Sequence, residues 1–176
     1  MHIVERADAS KPKYALYQDI CEKLQQLIGE EPNFVANAAN ASALLFHSLP
    51  DVNWVGFYLA HGRELVLGPF QGKPACVRIP FGKGVCGAAA EQEKTLVVPD
   101  VNQFAGHIAC DTESRSEIVV PLLNWGKVLG VLDIDSPSLN RFDEEDQEGI
   151  ESVVSVFLSS QSTNDLPDLS EDAAES

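Results

Sequence analysis

The stretch EIVVPLLNWGKVLGVLDID, Glu117–Asp135, decides the fold. It reads as two apolar, β-branched strands, EIVVPLL (Glu117–Leu123) and KVLGVLDID (Lys127–Asp135), turning through Asn124-Trp125-Gly126. Two such runs around a short glycine-containing turn make an antiparallel hairpin. Asp133 and Asp135 stand two apart on the second strand, so both face one side and Ile134 the other. Adjacent carboxylates at the end of an apolar strand repel unless a cation or protons lie between them. The plain alternative is a solvated strand end. The face of Glu117 depends on the turn. A strict two-residue turn at Trp125-Gly126 pairs Glu117 with Ile134, away from the aspartates. One bulge, or a three-residue loop, moves the pairing by one and brings Glu117 to their face.

Upstream, NWVGFYLA (Asn53–Ala60) alternates: Val55, Phe57 and Leu59 take one face, Trp54, Gly56 and Tyr58 the other. His61-Gly62-Arg63 turns the chain into ELVLGPF (Glu64–Phe70), and ACVRI (Ala75–Ile79) reads as a third strand carrying Cys76. Gly82-Lys83-Gly84-Val85-Cys86-Gly87 matches GxGxxG in form. It follows an antiparallel meander rather than a βαβ unit, which excludes the dinucleotide reading. Its glycines make a tight entry into a short helix, Val85–Gln92, and TLVV (Thr95–Val98) is the next strand. Residues 102–115, with Gly106, His107 and Cys110, are irregular, as lids and binding loops are.

Helices flank the strands. Pro12 opens one whose apolar stripe is Tyr14, Tyr17, Ile20, Cys21, Leu24, Leu27 and Ile28. Asn33 caps a second, alanine-rich helix running to about Ser48, and Asp143 caps a last one with Ile150, Val153, Val154, Phe157 and Leu158 inward. The order predicts an α+β domain: an antiparallel sheet of about six strands with the N- and C-terminal helices packed on one face. The expected boundaries are a lead-in at 1–12, the domain at 13–160 and an acidic disordered tail at 161–176.

Composition bounds the function. A chain of 176 residues suits one domain with a proper core. The net charge of −15 is uneven: residues 142–176 hold eleven acids and no Lys or Arg, while the rest nets only −4. Nothing resembles a basic nucleic-acid footprint. The N-terminus has no apolar signal region and no run reaches membrane-spanning length, so a cytoplasmic protein is expected, with thiols reduced unless they cycle. Four cysteines are present. Cys21 lies on the first helix stripe, as a small buried hydrophobe. Cys76, Cys86 and Cys110 lie near the carboxylates, which suggests redox chemistry; inert core thiols are the plain alternative, stronger for Cys86 than for Cys110. His107 with Cys110, Cys76 and Cys86 has the composition of a Cys₃His zinc set, but the paired knuckle spacing is missing.

Together, GFYL, LGPFQGKPACVRIPFGKGVCGAAA, VPDVNQFAGHIACD, SEIVVPL and GVLDIDSP resemble the free methionine-(R)-sulfoxide reductases, single GAF-domain enzymes, over roughly Tyr14–Phe157. The resemblance implies that Cys110 is the attacking cysteine, Cys76 the resolving one and Cys86 a third able to pair with Cys110. It further implies that Glu117, Asp133 and Asp135 hold the substrate and assist the chemistry, and that Trp54 walls the sulfoxide methyl. The departing sulfoxide oxygen needs a proton, and crowding should raise one of the carboxylates, with Glu117 the expected acid; no metal or bound cofactor is expected. The implied partners are free methionine (R)-sulfoxide, NADPH-coupled thioredoxin as reductant and a second copy of the chain in a homodimer. The residues leave Cys76 and Cys86 open as resolvers. The alternative function is a non-enzymatic GAF sensor of a small ligand.

Overall fold

The computed structural model describes residues 10–106 and 112–161. In chain order it comprises α1 (Lys13–Ile28), α2 (Phe34–Ser48), β1 (Trp54–His61), β2 (Glu64–Gln71), β3 (Arg78–Pro80), α3 (Gly84–Gln92), β4 (Leu96–Val98), a 3₁₀ turn (Val101–Gln103), β5 (Ser116–Asn124), β6 (Lys127–Ser136) and α4 (Glu144–Ser159). One six-stranded sheet runs β3-β2-β1-β6-β5-β4, and every neighbouring pair is antiparallel. The expected α+β architecture is therefore present, and the glycine-rich run lies outside any βαβ frame.

The period-two alternation divides the sheet cleanly. Val55 and Phe57 of β1, Ile118 and Val120 of β5 and Leu132 and Ile134 of β6 join a core with α1, α2 and α4. Trp54, Tyr58, Val119 and Val131 join a second core beneath α3. Each side chain fully buried in this way contributes about 1.5–3 kcal/mol from apolar transfer. The helices start where their caps predict. The Asn33 side chain accepts from the Ala36 N–H at 2.9 Å, and Asp143 and Asp146 form a reciprocal capping box at the start of α4.

The stripe of α1 departs from expectation at one end. Tyr14 is exposed, and Leu16 is buried in its place with Tyr17, Ile20, Leu24 and Ile28. The cause is the close crossing of α1 over α4. A methyl at Gly149 would lie 2.2 Å from the Tyr17 ring, so the two helices touch there. Around this crossing Asp146, almost wholly buried, accepts from Tyr17 Oη at 2.8 Å, Lys13 Nζ at 2.6 Å and Arg141 Nη1 at 3.1 Å. A carboxylate so enclosed is tolerable only because its oxygens are matched by donors.

The expected third strand is shorter. Cys76 lies ahead of β3, in the connection after Gly72, and only Arg78–Pro80 pairs with β2. Pro74 supplies no N–H for a ladder there, so pairing begins beyond it. No helix among the described residues is long and apolar enough to cross a membrane.

Candidate active site

The site is built on the face of the sheet that α3 covers. Trp125 (φ 51°) and Gly126 (φ 74°) form a two-residue left-handed turn, the type that matches strand twist. The pairing starts as that turn requires, Asn124 with Lys127 and Leu123 with Val128. It then shifts, so that Leu122 pairs with Gly130. Leu129 is the extra residue, a β-bulge in β6. Gly130 is needed beside it, because a methyl there would lie 2.1 Å from the Tyr58 carbonyl oxygen. From the bulge onward Glu117 stands opposite Asp135 and Val119 opposite Asp133. Paired residues share a face, so all three carboxylates lie together.

Strand β1 completes the floor. Trp54 pairs with Asp135 and Gly56 with Asp133. The indole of Trp54 lies across Gly56, where a methyl would meet its ring at 2.5 Å and the Phe70 Cβ at 2.4 Å. The ring is stacked on Phe70 (5.3 Å) and Tyr58 (5.9 Å), and its Nε1–H donates to the Lys73 carbonyl at 3.0 Å. Trp54 is thus a fixed wall.

The glycine run acts as scaffold for α3. Gly82 N–H donates to the Gly87 carbonyl at 2.8 Å, and a methyl at Gly87 would meet the Pro80 oxygen at 2.3 Å. This tight seat lowers Cys86 onto the carboxylates. Its Sγ lies 3.8 Å from Glu117 Oε1, and Cys86, Glu117 and Asp133 bring ligand atoms within 4.8 Å of one another. Glu117 and Asp133 are each only 6% exposed; Asp135 is half-buried.

Burial sets the protonation. It raises Glu117 well above the usual carboxylate range, and the charges of Asp133 and Asp135 raise it further. Asp133 is raised by burial to about 6, against the lowering effect of hydrogen bonds from Cys86 and Glu117. The more basic Glu117 therefore keeps the proton and donates it towards Asp133. Burial, then Asp133 and Glu117, push the Cys86 thiol up, so it stays protonated. Among the described residues, Asp133 Oδ1 is buried without a hydrogen-bond partner.

Cys76 is disulfide-bonded, whereas Cys86 and Cys21 are free thiols. Cys21 packs with the core on the opposite face of the sheet, away from the carboxylates. Cys110 and His107 lie outside the described residues, as does the tail from residue 162. The described residues 113–115 are tied to the sheet. Glu113 pairs with Lys73 at 2.6 Å, Ser114 Oγ accepts from Asn53 Nδ2 at 3.2 Å, and Arg115 N–H donates to the Ser136 carbonyl at 2.7 Å.

Two residues on the face carry more than the sequence suggested. Tyr58 donates its hydroxyl to the Cys76 carbonyl at 3.0 Å, tying the Cys76 connection to the site. Its phenol is pushed up by burial and by Asp133, so it remains a donor. Gly56 makes room for the indole. The signal for both was their period-two alignment with Trp54; the contacts themselves come from residues distant in sequence.

The sheet order, the helix layer on one face and the α3-covered site on the other define a GAF domain, and the GAF family model matches residues 15–158. Among curated relatives, Protein YtsP of Bacillus subtilis is 56% identical, covering 84% of this chain and 90% of that protein. Free methionine-R-sulfoxide reductase of Escherichia coli is 48% identical, covering 87% and 93% respectively. The solved free methionine-R-sulfoxide reductase of Neisseria meningitidis in complex with its substrate superposes with a TM-score of 0.85 at 43% identity, covering 91% of this chain and 95% of that one. The chain belongs to the GAF-domain family and, within it, to the free methionine-R-sulfoxide reductases, a family of oxidoreductases.

Proposed function

We propose that this protein is a cytoplasmic enzyme that reduces free methionine (R)-sulfoxide to methionine. The observation that carries the reading is the buried carboxylate group under Trp54: Glu117 protonated, Asp133 with an unpartnered oxygen, and Asp135 beside them. Such a pocket suits a small molecule bearing one ammonium group and one oxygen in need of a proton. Asp133 and Asp135 hold the ammonium, which a peptide-bound methionine sulfoxide lacks. Trp54 sits against the sulfoxide methyl.

The Cys110 thiolate attacks the sulfoxide sulfur, Glu117 protonates the oxygen, and the S–O bond breaks as the hydroxyl passes to Cys110. Methionine leaves and Cys110 becomes a sulfenic acid. The Cys76 thiol then displaces water to form a disulfide, and a thioredoxin dithiol restores both thiols by exchange. The bonded state of Cys76 and the free, fully buried state of Cys86 favour Cys76 as the resolver. The working form in this reading is a homodimer.

A coupled NADPH–thioredoxin assay with the two free sulfoxide epimers and a peptide-bound one tests the proposal. The free R epimer alone should be consumed, and Cys110→Ser should abolish turnover. Full turnover by Cys110→Ser would sink the mechanism.

A further inference from the structure

We propose that Cys86, Glu117 and Asp133 form a binding site for one thiophilic divalent cation of the zinc class. The three side chains come from three elements, α3, β5 and β6, so their convergence is set by the packed fold. One ligand atom from each lies within 4.8 Å of the others, and Cys86 Sγ is 3.8 Å from Glu117 Oε1. A tetrahedral zinc ion holds a sulfur and an oxygen about 3.6 Å apart, by its usual bond lengths. The Cys86–Glu117 spacing of 3.8 Å is within a few tenths of an ångström of this, and Asp133, within 4.8 Å of both, closes the set by a side-chain adjustment.

A second observation points independently to a cation. Asp133 is 6% exposed, and its Oδ1 has no hydrogen-bond partner among the described residues. A buried acceptor left unmatched is costly, and a cation bound beside it would supply the missing partner. The donor set decides which cation. One sulfur with two carboxylate oxygens suits zinc or cadmium, whereas magnesium and calcium take oxygen-only shells. Binding forms one metal–sulfur and two metal–oxygen bonds. It releases the Cys86 thiol proton and the proton that Glu117 shares with Asp133, both to water, and no electrons move. Three protein ligands leave a fourth position for solvent. The ion would occupy the place assigned above to the substrate ammonium and so oppose substrate; this consequence alone rests on the proposed function.

The test uses the full chain with the Cys76 disulfide intact, so that its thiol does not compete. Cadmium is titrated and followed by the ultraviolet sulfur-to-cadmium charge-transfer band, and zinc by calorimetry in two buffers of different ionisation enthalpy. One ion per chain, a thiolate band and net proton release are expected. Cys86→Ser should lose the band. Asp133→Asn should weaken zinc by more than about 10-fold, the lower end of what even an outer-sphere change costs. Cys21→Ser should change nothing. Circular dichroism checks that each variant is folded; if Cys86→Ser is not, Glu117→Gln takes its place with the same expected weakening. No band, a band that survives Cys86→Ser, or one lost in Cys21→Ser would overturn the site. None of these readouts uses turnover, so failure here leaves the reductase reading standing.

Discussion

Glu117 stands directly opposite Asp135 across the β5–β6 ladder, and it does so only because Leu129 is one residue too many in the hairpin. Without that bulge Glu117 would face the helical core, where Ile118 and Ile134 now lie. The acid and the aspartates share a face of the sheet through a backbone irregularity remote from all three.

The bulge should therefore be testable at Gly130. A methyl there would lie 2.1 Å from the Tyr58 carbonyl oxygen, a rigid backbone atom. Gly130→Ala is expected to lower stability by roughly 2 kcal/mol or more, the range for a forced backbone shift. Urea unfolding measures this. An unchanged midpoint would show that the strand pair yields freely and does not hold the register.

The buried carboxylates predict a pH dependence of known sign. Asp133 rises from 3.8 in the unfolded chain to about 6 in the fold, chiefly through burial. Between those values the folded state holds more of the proton, so the stabilisation is complete in acid and fades as pH rises through about 6. Glu117, also raised, extends the loss upward. Asp133→Asn, which cannot ionise, should gain about 1–3 kcal/mol relative to wild type on going from about pH 4.5 to about pH 7.5. Unfolding curves for both proteins across that interval decide it. Parallel stability profiles would contradict the assignment.

Gly56→Ala should damage the substrate wall. Its methyl would meet Trp54 Cη2 at 2.5 Å and Phe70 Cβ at 2.4 Å, so the ring must give way. The indole is expected to move off its stacked position. KM for free methionine sulfoxide should rise at least about 10-fold, the equivalent of 1.4 kcal/mol of lost contact. Steady-state kinetics with Trp54 fluorescence as a second readout would show whether the ring moved.

Tyr58→Phe should separate the two halves of the proposed cycle. It removes the hydroxyl that donates to the Cys76 carbonyl at 3.0 Å and leaves the ring stacking intact. Fold stability should fall by about 1 kcal/mol, as for one hydrogen bond. Release of one methionine in a single turnover should persist, while disulfide formation at Cys76 slows. Equal slowing of both steps would show that Tyr58 acts elsewhere.

Much of this could be read from local pattern. Period-two alternation put Trp54, Gly56 and Tyr58 on one face of NWVGFYLA and Asp133 and Asp135 on one face of KVLGVLDID; in the ladder Trp54 pairs with Asp135 and Gly56 with Asp133. Asn33 and Asp143 announced two helices through capping chemistry, which needs only neighbours in sequence. The antiparallel meander ruled out a dinucleotide fold despite the GxGxxG spacing. These features rest on interactions within a few residues, so the chain alone determines them.

The remainder depended on contacts between distant segments. The side on which Glu117 falls turns on one inserted residue, because a shift of one exchanges the two faces of a strand. Cys76 lies outside β3 because pairing with β2 begins beyond Pro74, and the Tyr58 hydroxyl, from another strand, binds its carbonyl instead. Tyr14 gives way to Leu16 because α4 crosses α1 at Gly149. The raised carboxylates exist only once α3 has sealed Cys86 over them and removed water. Sequence determined which side chains of one strand share a face; tertiary packing decided which strands' faces meet and which groups share protons, because register and desolvation are properties of the assembled sheet.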